Sequence, residues 1–252
     1  MRYLFIVLVL AAATVQAQKI KVGPVVSASL ARPVFDNLVV AQSNQGKWAP
    51  AAAGGVSLIF LANNNFGLST ELLYQYQQKS VAGTDGFSYF KESHNFIKVP
   101  VLFQYSYPVG YYKINVMAGP VINYWLSGRG EALVPELVEG ELENGTRYTI
   151  EYSGVLDDDR FVVSDPNRWQ LGLQVGVGTT IPIKQNQLKV DARFEWGHTN
   201  LAKPNSTYAP FIFYDISLDH TFNVFSLSCA YLFSFDLFEM KRKGKSTRQK
   251  EK

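Results

Sequence analysis

Apolar and polar residues alternate along eight segments of this chain, each long enough to cross a bilayer as a tilted strand. In the segment 188–196, for example, apolar side chains are interleaved with Lys189, Asp191, Arg193 and Glu195. Because successive side chains of a β-strand point to opposite faces, a period of two predicts strands with one apolar face. Repeated strands of this kind are typical of transmembrane β-barrels, so we predict an all-β, eight-stranded antiparallel transmembrane β-barrel. The predicted strands are residues 20–30, 49–62, 66–76, 94–108, 112–126, 169–183, 188–196 and 225–235.

The composition of the two faces separates a membrane barrel from a soluble one. In a soluble barrel such as a lipocalin, the apolar face lines the interior and the exterior is charged. Here the polar face carries many glycines and other small residues, which suit a crowded interior, and the apolar face ends in aromatic residues that suit the membrane interfaces. The pattern therefore favours a membrane barrel. The candidate interface residues are Tyr74, Tyr76, Tyr105, Tyr107, Tyr112, Tyr124 and Trp125.

The first 17 residues have the parts of a secretory signal peptide. Arg2 is followed by an apolar run from Tyr3 to Ala13, and the small residues Val15 and Ala17 precede the expected cleavage point. A membrane-anchoring helix would need a longer apolar run. We therefore expect a signal peptide over residues 1–17 and an exported protein.

Connection lengths set the expected topology. Short turns on the periplasmic side and long external loops are the rule for such barrels. The sequence thus predicts one barrel domain, residues 18–238, whose longest external loop, 128–167, holds ten acidic residues against three arginines. In that loop Asn144-Gly145 predicts a hairpin. The predicted tight turns are 63–65, 108–110 and 184–187, and they alternate with long links at 32–48, 80–93, 128–167 and 200–221.

Charged residues on the polar faces predict an ionic network inside the barrel. An eight-stranded barrel is only wide enough to be filled by its own side chains, which favours a buried ionic plug. A narrow gated pore is the alternative interpretation. Pro100, in the middle of the strand 94–108, removes a ladder hydrogen bond, and we expect a local bulge there. The predicted lumen network consists of Glu71, Lys98, Lys113, Asp191, Arg193 and Glu195.

A basic segment, residues 239–252, follows the barrel and is expected in the periplasm. Its last twelve residues hold seven basic residues and one acid, and such runs are usually solvated and disordered. The alternative is docking to an acidic periplasmic partner or to phosphate groups of the inner leaflet. Since this segment accounts for the sequence pI of 8.8, that pI does not indicate nucleic-acid binding. The basic residues are Lys241, Arg242, Lys243, Lys245, Arg248, Lys250 and Lys252.

Four segments, in chain order, resemble strands of the PorT-like outer membrane β-barrel family of Bacteroidetes. They are "NFIKVPVLFQY", "YKINVMAGPVINYWL" with its Ala-Gly-Pro, the Gly-rich "QLGLQVGVGTTI", and "LKVDARFEWGHTNL", where the family's Arg and Gly fall on Arg193 and Gly197. "GHTNL" and "SLSCAYLF" are similar to the last two strands of the PorT/SprT subgroup, which serves type IX secretion and gliding. The resemblance spans residues 18 to about 235. It implies a non-enzymatic role in assembling or maintaining a secretion machine, with periplasmic secretion proteins as partners.

An enzyme and a general surface barrel are the other function classes. His94, His198 and His220 lie near external strand ends, where they could gather, but no Gly-x-Ser-x-Gly or paired-His motif accompanies them. The segment "LDDDRF" lacks the spacing of a calcium loop. We therefore predict no catalytic residue, metal or cofactor, and surroundings of outer membrane lipid and lipopolysaccharide without nucleic acid. A surface barrel for adhesion or envelope stability stays open.

Overall fold

A computed structural model describes residues 19–35, 38–84, 89–133, 146–151, 161–163, 167–201, 208–209 and 220–236. Three predicted features lie outside these residues: the signal peptide 1–17, the basic segment 239–252 and the Asn144-Gly145 turn. The strands are β1 (Lys19–Phe35), β2 (Asn44–Lys47), β3 (Ala49–Leu61), β4 (Phe66–Gly83), β5 (Tyr89–Val109), β6 (Tyr112–Leu133), β7 (Thr146–Glu151), β8 (Phe161–Val163), β9 (Trp169–Ile183), β10 (Asn186–Gly197), β11 (Tyr208–Ala209) and β12 (His220–Asp236). One short helix, α1, spans Leu38–Ser43.

Eight of these strands close into an antiparallel ring. The order around the ring is β1, β3, β4, β5, β6, β9, β10 and β12. The last strand then pairs with the first, from Lys19 opposite Asp236 to Phe35 opposite His220. This ring confirms the predicted all-β, eight-stranded antiparallel barrel.

The strands are longer than predicted at the end of the barrel opposite the tight turns, which we call the outer end. There β5 begins at Tyr89 and β6 continues to Leu133. The strand β2 pairs with the outer part of β4, and β7 pairs with the outer part of β6. The strand β7, "TRYTIE", lies opposite residues 128–132 of β6.

The barrel is polar inside and apolar outside. On β5 the buried residues Lys98, Gln104 and Ser106 point inward, while Phe103 and Tyr105 are exposed on the other face. An apolar cluster fills part of the lumen beside β1, β3, β4 and β12, formed by Val25, Ile59, Leu73, Ala230 and Leu232. Water would not stabilise the apolar exterior, so this arrangement requires lipid around the ring.

None of the helices among the described residues has the length and apolar character needed to span a membrane.

The prediction of a bulge at Pro100 is wrong, because the register does not shift at that residue. The pairing of β4 with β5 has the same register on both sides of Pro100, with Lys98 opposite Leu73 and Val101 opposite Thr70. The ladder is only interrupted there, and the Thr70 hydroxyl donates a hydrogen bond to the Pro100 carbonyl at 3.0 Å. The register shift of β5 against β6 occurs instead at Asn95/Phe96.

Candidate functional site

Glycines on the inward face of β9 make room for the charged side chains of β10. Gly178 lies opposite Asp191 and Gly176 opposite Arg193. A Cβ atom at Gly178 would stand 2.0 Å from the Asp191 Oδ1 atom, and one at Gly176 would stand 2.9 Å from the Arg193 Cγ atom. Real Cβ atoms do not approach other atoms so closely. Glycine at these two positions therefore allows the side chains of Asp191 and Arg193 to lie over β9.

Arg193 forms ion pairs with two carboxylates at the centre of the lumen. Its guanidinium donates two hydrogen bonds to the Glu71 carboxylate, at 2.8 and 2.7 Å, and a third to Asp191 at 2.9 Å. The Lys189 ammonium lies 3.3 Å from the same Asp191 carboxylate. Glu71 is on β4, far from β10 along the ring, so the Arg193–Glu71 pair spans the interior. A bidentate pair of this kind is both strong and geometrically specific.

A second ion pair lies in the same interior. The Lys98 ammonium on β5 donates to the Glu195 carboxylate on β10, and both side chains are almost completely buried. The other oxygen of Glu195 accepts a hydrogen bond from the Asn123 amide at 3.0 Å. The described interior thus contains two cross-lumen ion pairs that tie β10 to β4 and β5.

These groups form a charge-balanced set that we call the central lumen network: Glu71, Asp191, Glu195, Lys98, Lys189 and Arg193. It contains three carboxylates and three cations, each side chain 6% exposed or less. Buried charges persist only when they are paired, and here every charge has an opposite charge in contact. Five of the six residues are those predicted from the sequence.

Lys113 does not join the central lumen network. It lies next to the first residue of β6, at the end with the tight turns, where its ammonium donates to the Asn64 carbonyl at 2.9 Å. Lys189, which the predicted network omits, supplies the third cation instead. The sequence does indicate this position, because Lys189 is separated from Asp191, Arg193 and Glu195 by even numbers of residues and therefore lies on the same face of the strand.

Nearer the outer end, a second charged group occupies the lumen. The Lys79 ammonium and the His94 Nε2 atom each lie 3.0 Å from the Glu92 carboxylate, and all three side chains are fully buried. The His94 ring packs edge-on against the Trp125 ring, with 5.1 Å between the centroids. Sequence reasoning missed Lys79 and Glu92, although each continues the inward parity of its strand.

The three histidines do not gather at a rim. His94 and His220 are completely buried, whereas His198 is exposed. Among the described residues, no group of His, Cys, Asp and Glu side chains is placed to hold a metal ion. Between the two charged groups, the lumen leaves a space of about 20 Å³ beside Gln75, Asn123 and Gln170. That volume holds about one water molecule.

A family model for the outer membrane protein beta-barrel domain matches residues 16–203, which is most of the chain. The chain belongs to this family. It is therefore an outer membrane β-barrel protein of the cell outer membrane, in contact with the lipids of that membrane.

Several solved structures of outer membrane proteins resemble the chain. OprG from Pseudomonas aeruginosa is 9% identical, with a TM-score of 0.47 over 87% of this chain and 97% of that chain. A major outer membrane protein from Thermus thermophilus is 12% identical, with a TM-score of 0.44 over 85% and 99%. Ail, the attachment invasion locus protein of Yersinia pestis, is 11% identical, with a TM-score of 0.38 over 84% and 98%. Among curated proteins, no match is found.

Aromatic side chains of this outer membrane barrel mark the two membrane interfaces. At the end with the tight turns, the Phe66 and Tyr105 rings pack with centroids 4.9 Å apart. Toward the outer end, the Tyr124 and Trp169 rings pack at 4.7 Å. Trp125, which we expected in the same girdle, is completely buried in the lumen, because its odd position on β6 shares the inward face of Asn115 and not the outward face.

Proposed function

We propose that this outer membrane barrel is a non-enzymatic component that supports type IX protein secretion and gliding machinery. The observation that carries the proposal is the charge-balanced central lumen network, which favours a closed membrane platform over a conduit. A platform of this kind would act at its ends, through its external segments or its periplasmic segment. The resemblance of "GHTNL" and "SLSCAYLF" to the PorT/SprT subgroup supports the choice of machine.

We also propose that the barrel has no catalytic activity. His94 and His220 lie where neither solvent nor substrate can reach them, and both pack against Phe222. General acid–base catalysis requires a group within hydrogen-bond reach of a substrate. The burial of these two histidines therefore supports a role without catalysis.

A deletion strain tests the secretion role. The full-length protein should restore export of a reporter cargo that carries a type IX secretion signal, and the empty vector should leave that cargo in the periplasm. Normal export in the deletion strain would contradict the proposal. A second reporter, exported by another route, serves as the control for general envelope damage.

The basic segment 239–252 provides a second prediction in the same strain. Truncation after Phe238 should leave the barrel inserted and heat-stable but reduce cargo export, because several weak charge contacts with an acidic partner would be lost. A matched variant with the seven basic residues replaced by glutamine should behave like the truncation. Full export by the truncated protein would show that the segment is dispensable.

A surface barrel for adhesion or envelope stability is the second candidate function. The outer extensions of β4, β5 and β6, together with β2 and β7, form a sheet that continues beyond the predicted strands. Its outward side chains there include Ser93 and Arg129, which are polar and are typical of a surface outside the hydrocarbon core. A deletion strain with normal cargo export but increased detergent sensitivity would favour this candidate.

A further inference from the structure

The outward face of β4, β5 and β6 changes from apolar to cationic toward the outer end. Side chains of directly opposite residues share a face, so the pairing defines rows across the three strands. Tyr76, Asn95 and Ser127 form one row, followed by a row of Gln78, Ser93 and Arg129. The next row contains Ser80, Lys91 and Glu131. Lys47 of β2 lies opposite Ser80 and extends this row at one edge. We call Lys47, Lys91 and Arg129 the outer cationic patch.

The height of this patch matches the lipid head groups of the outer leaflet. Along β5, ten residues separate Tyr105 from Asn95, which corresponds to about 33 Å of strand and, at the usual tilt, about 25 Å of membrane. The row of Tyr76 and Asn95 then lies at the outer edge of the apolar band. Arg129 and Lys91 lie one and two rows further out, about 7 and 13 Å along the strand. The interfacial layer beyond the hydrocarbon core has a thickness of this order.

The cations of the patch are exposed and available for an external anion. Lys47, Lys91 and Arg129 are all exposed, and none of them forms an ion pair with a carboxylate of the described residues. The Glu131 carboxylate of the same face accepts a hydrogen bond from the Tyr89 hydroxyl at 2.7 Å, and this bond raises the pKa of Tyr89. The Lys91 ammonium lies 4.9 Å from the centre of the Tyr89 ring.

A concave surface accompanies the charges. An open cavity of about 640 Å³ is lined by Lys91 and Arg129 together with Trp48, Tyr76, Gln78 and Ser93, and Glu131 lines it as well. The aromatic side chains offer flat apolar faces, and the amide and hydroxyl groups offer hydrogen bonds. A cavity of this size accommodates part of a large head group.

We propose that the outer cationic patch binds the phosphorylated head group of a membrane glycolipid, with Lys91 and Arg129 contacting phosphate and Trp48 and Tyr76 packing against the sugar. Arginine and lysine are the side chains that bind phosphate best, Arg129 through two parallel hydrogen bonds and Lys91 as a point charge. The adjoining apolar band holds the acyl chains of the same lipid. This inference does not depend on the secretion role, since it concerns lipid binding at the outer end of the barrel and requires no partner protein.

Lipid titration tests the inference. The full-length protein in detergent is titrated with fluorescent diphosphorylated lipid A and, separately, with the same lipid after removal of both phosphates. The double variant Lys91→Gln, Arg129→Gln should bind the phosphorylated lipid roughly 30-fold more weakly, since each of the two basic residues near a charged lipid surface contributes about 1 kcal/mol. Binding by the wild-type protein should weaken as salt is raised.

The exposed lysine at position 184 provides the matched control, because it lies in the tight turn at the other end of the barrel. Lys184→Gln should bind the phosphorylated lipid like the wild type. Equal binding by the double variant and the wild type would overturn the proposal, as would equal affinity for the dephosphorylated lipid. Complete displacement by inorganic phosphate at equal concentration would show a site for a free anion and would also overturn it. A heat-modifiable gel band confirms that each variant is folded.

Discussion

Replacing Arg193 by leucine is expected to lower the free energy of unfolding of the barrel by about 3–5 kcal/mol, as is usual when one partner of a buried ion pair is removed. The variant loses both hydrogen bonds to Glu71 and the one to Asp191, and leaves the Glu71 carboxylate buried without its guanidinium. Leucine cannot compensate a carboxylate in an interior from which water is excluded. Urea unfolding in detergent micelles, followed by tryptophan fluorescence, measures the change.

Two further variants separate this effect from a general loss of packing. The double variant Arg193→Leu, Glu71→Leu removes both charges and leaves Lys189 paired with Asp191, so it should recover most of the stability. Lys113→Leu should lower the free energy of unfolding by no more than about 1 kcal/mol, because its half-buried ammonium contacts only the Asn64 carbonyl. Equal losses in Arg193→Leu and Lys113→Leu would contradict the central lumen network.

Replacing Gly55 by alanine is expected to prevent most of the protein from refolding into a barrel. An added Cβ atom would lie 1.9 Å from the Leu72 carbonyl oxygen and 2.9 Å from the Leu73 Cα atom, both on the neighbouring strand β4. Because these are backbone atoms, relief requires moving β3 away from β4, and we expect a loss of about 3 kcal/mol or more. The heat-modifiable fraction after refolding into micelles measures the yield.

Gly54 offers a control one residue away on the same strand. A Cβ atom there would meet its nearest neighbour, the Val25 carbonyl oxygen, only at 4.0 Å. Gly54→Ala should therefore refold like the wild type, with a change within about 0.5 kcal/mol. Similar refolding yields for the two alanine variants would contradict the close approach of β3 and β4 at Gly55.

The membrane-spanning parts of the barrel could be predicted from the sequence because lipid imposes apolar alternation on them. Beyond the hydrocarbon core this constraint ends, since Lys91 and Ser93 lie at the height of the head groups and carry no apolar signal, although β5 is still paired there. For this reason the outer extensions of the strands were not predictable. The period of two also assigns Trp125 to the inward face, in agreement with its burial in the lumen and not with a place in the aromatic girdle.

For the central lumen network, the sequence predicts which face of its strand each residue occupies, but not the height of that residue along the barrel axis. A period of two tells which face a charged residue occupies, and it selected Glu71, Lys98, Asp191, Arg193 and Glu195. It does not tell which side chains of distant strands meet, which depends on the stagger of the strands around the ring. Lys113 and Lys189 share the required parity, but only Lys189 lies at the height of Asp191.

Conductance across a planar lipid bilayer tests most directly whether the lumen is closed. The reconstituted full-length protein should give no steady current at moderate voltage, because ion pairs and packed side chains occupy the interior. Insertion is verified separately by protease protection and the heat-modifiable band. A steady, ion-selective current that changes in Arg193→Leu, without a change in the free energy of unfolding, would contradict the closed lumen and favour a pore.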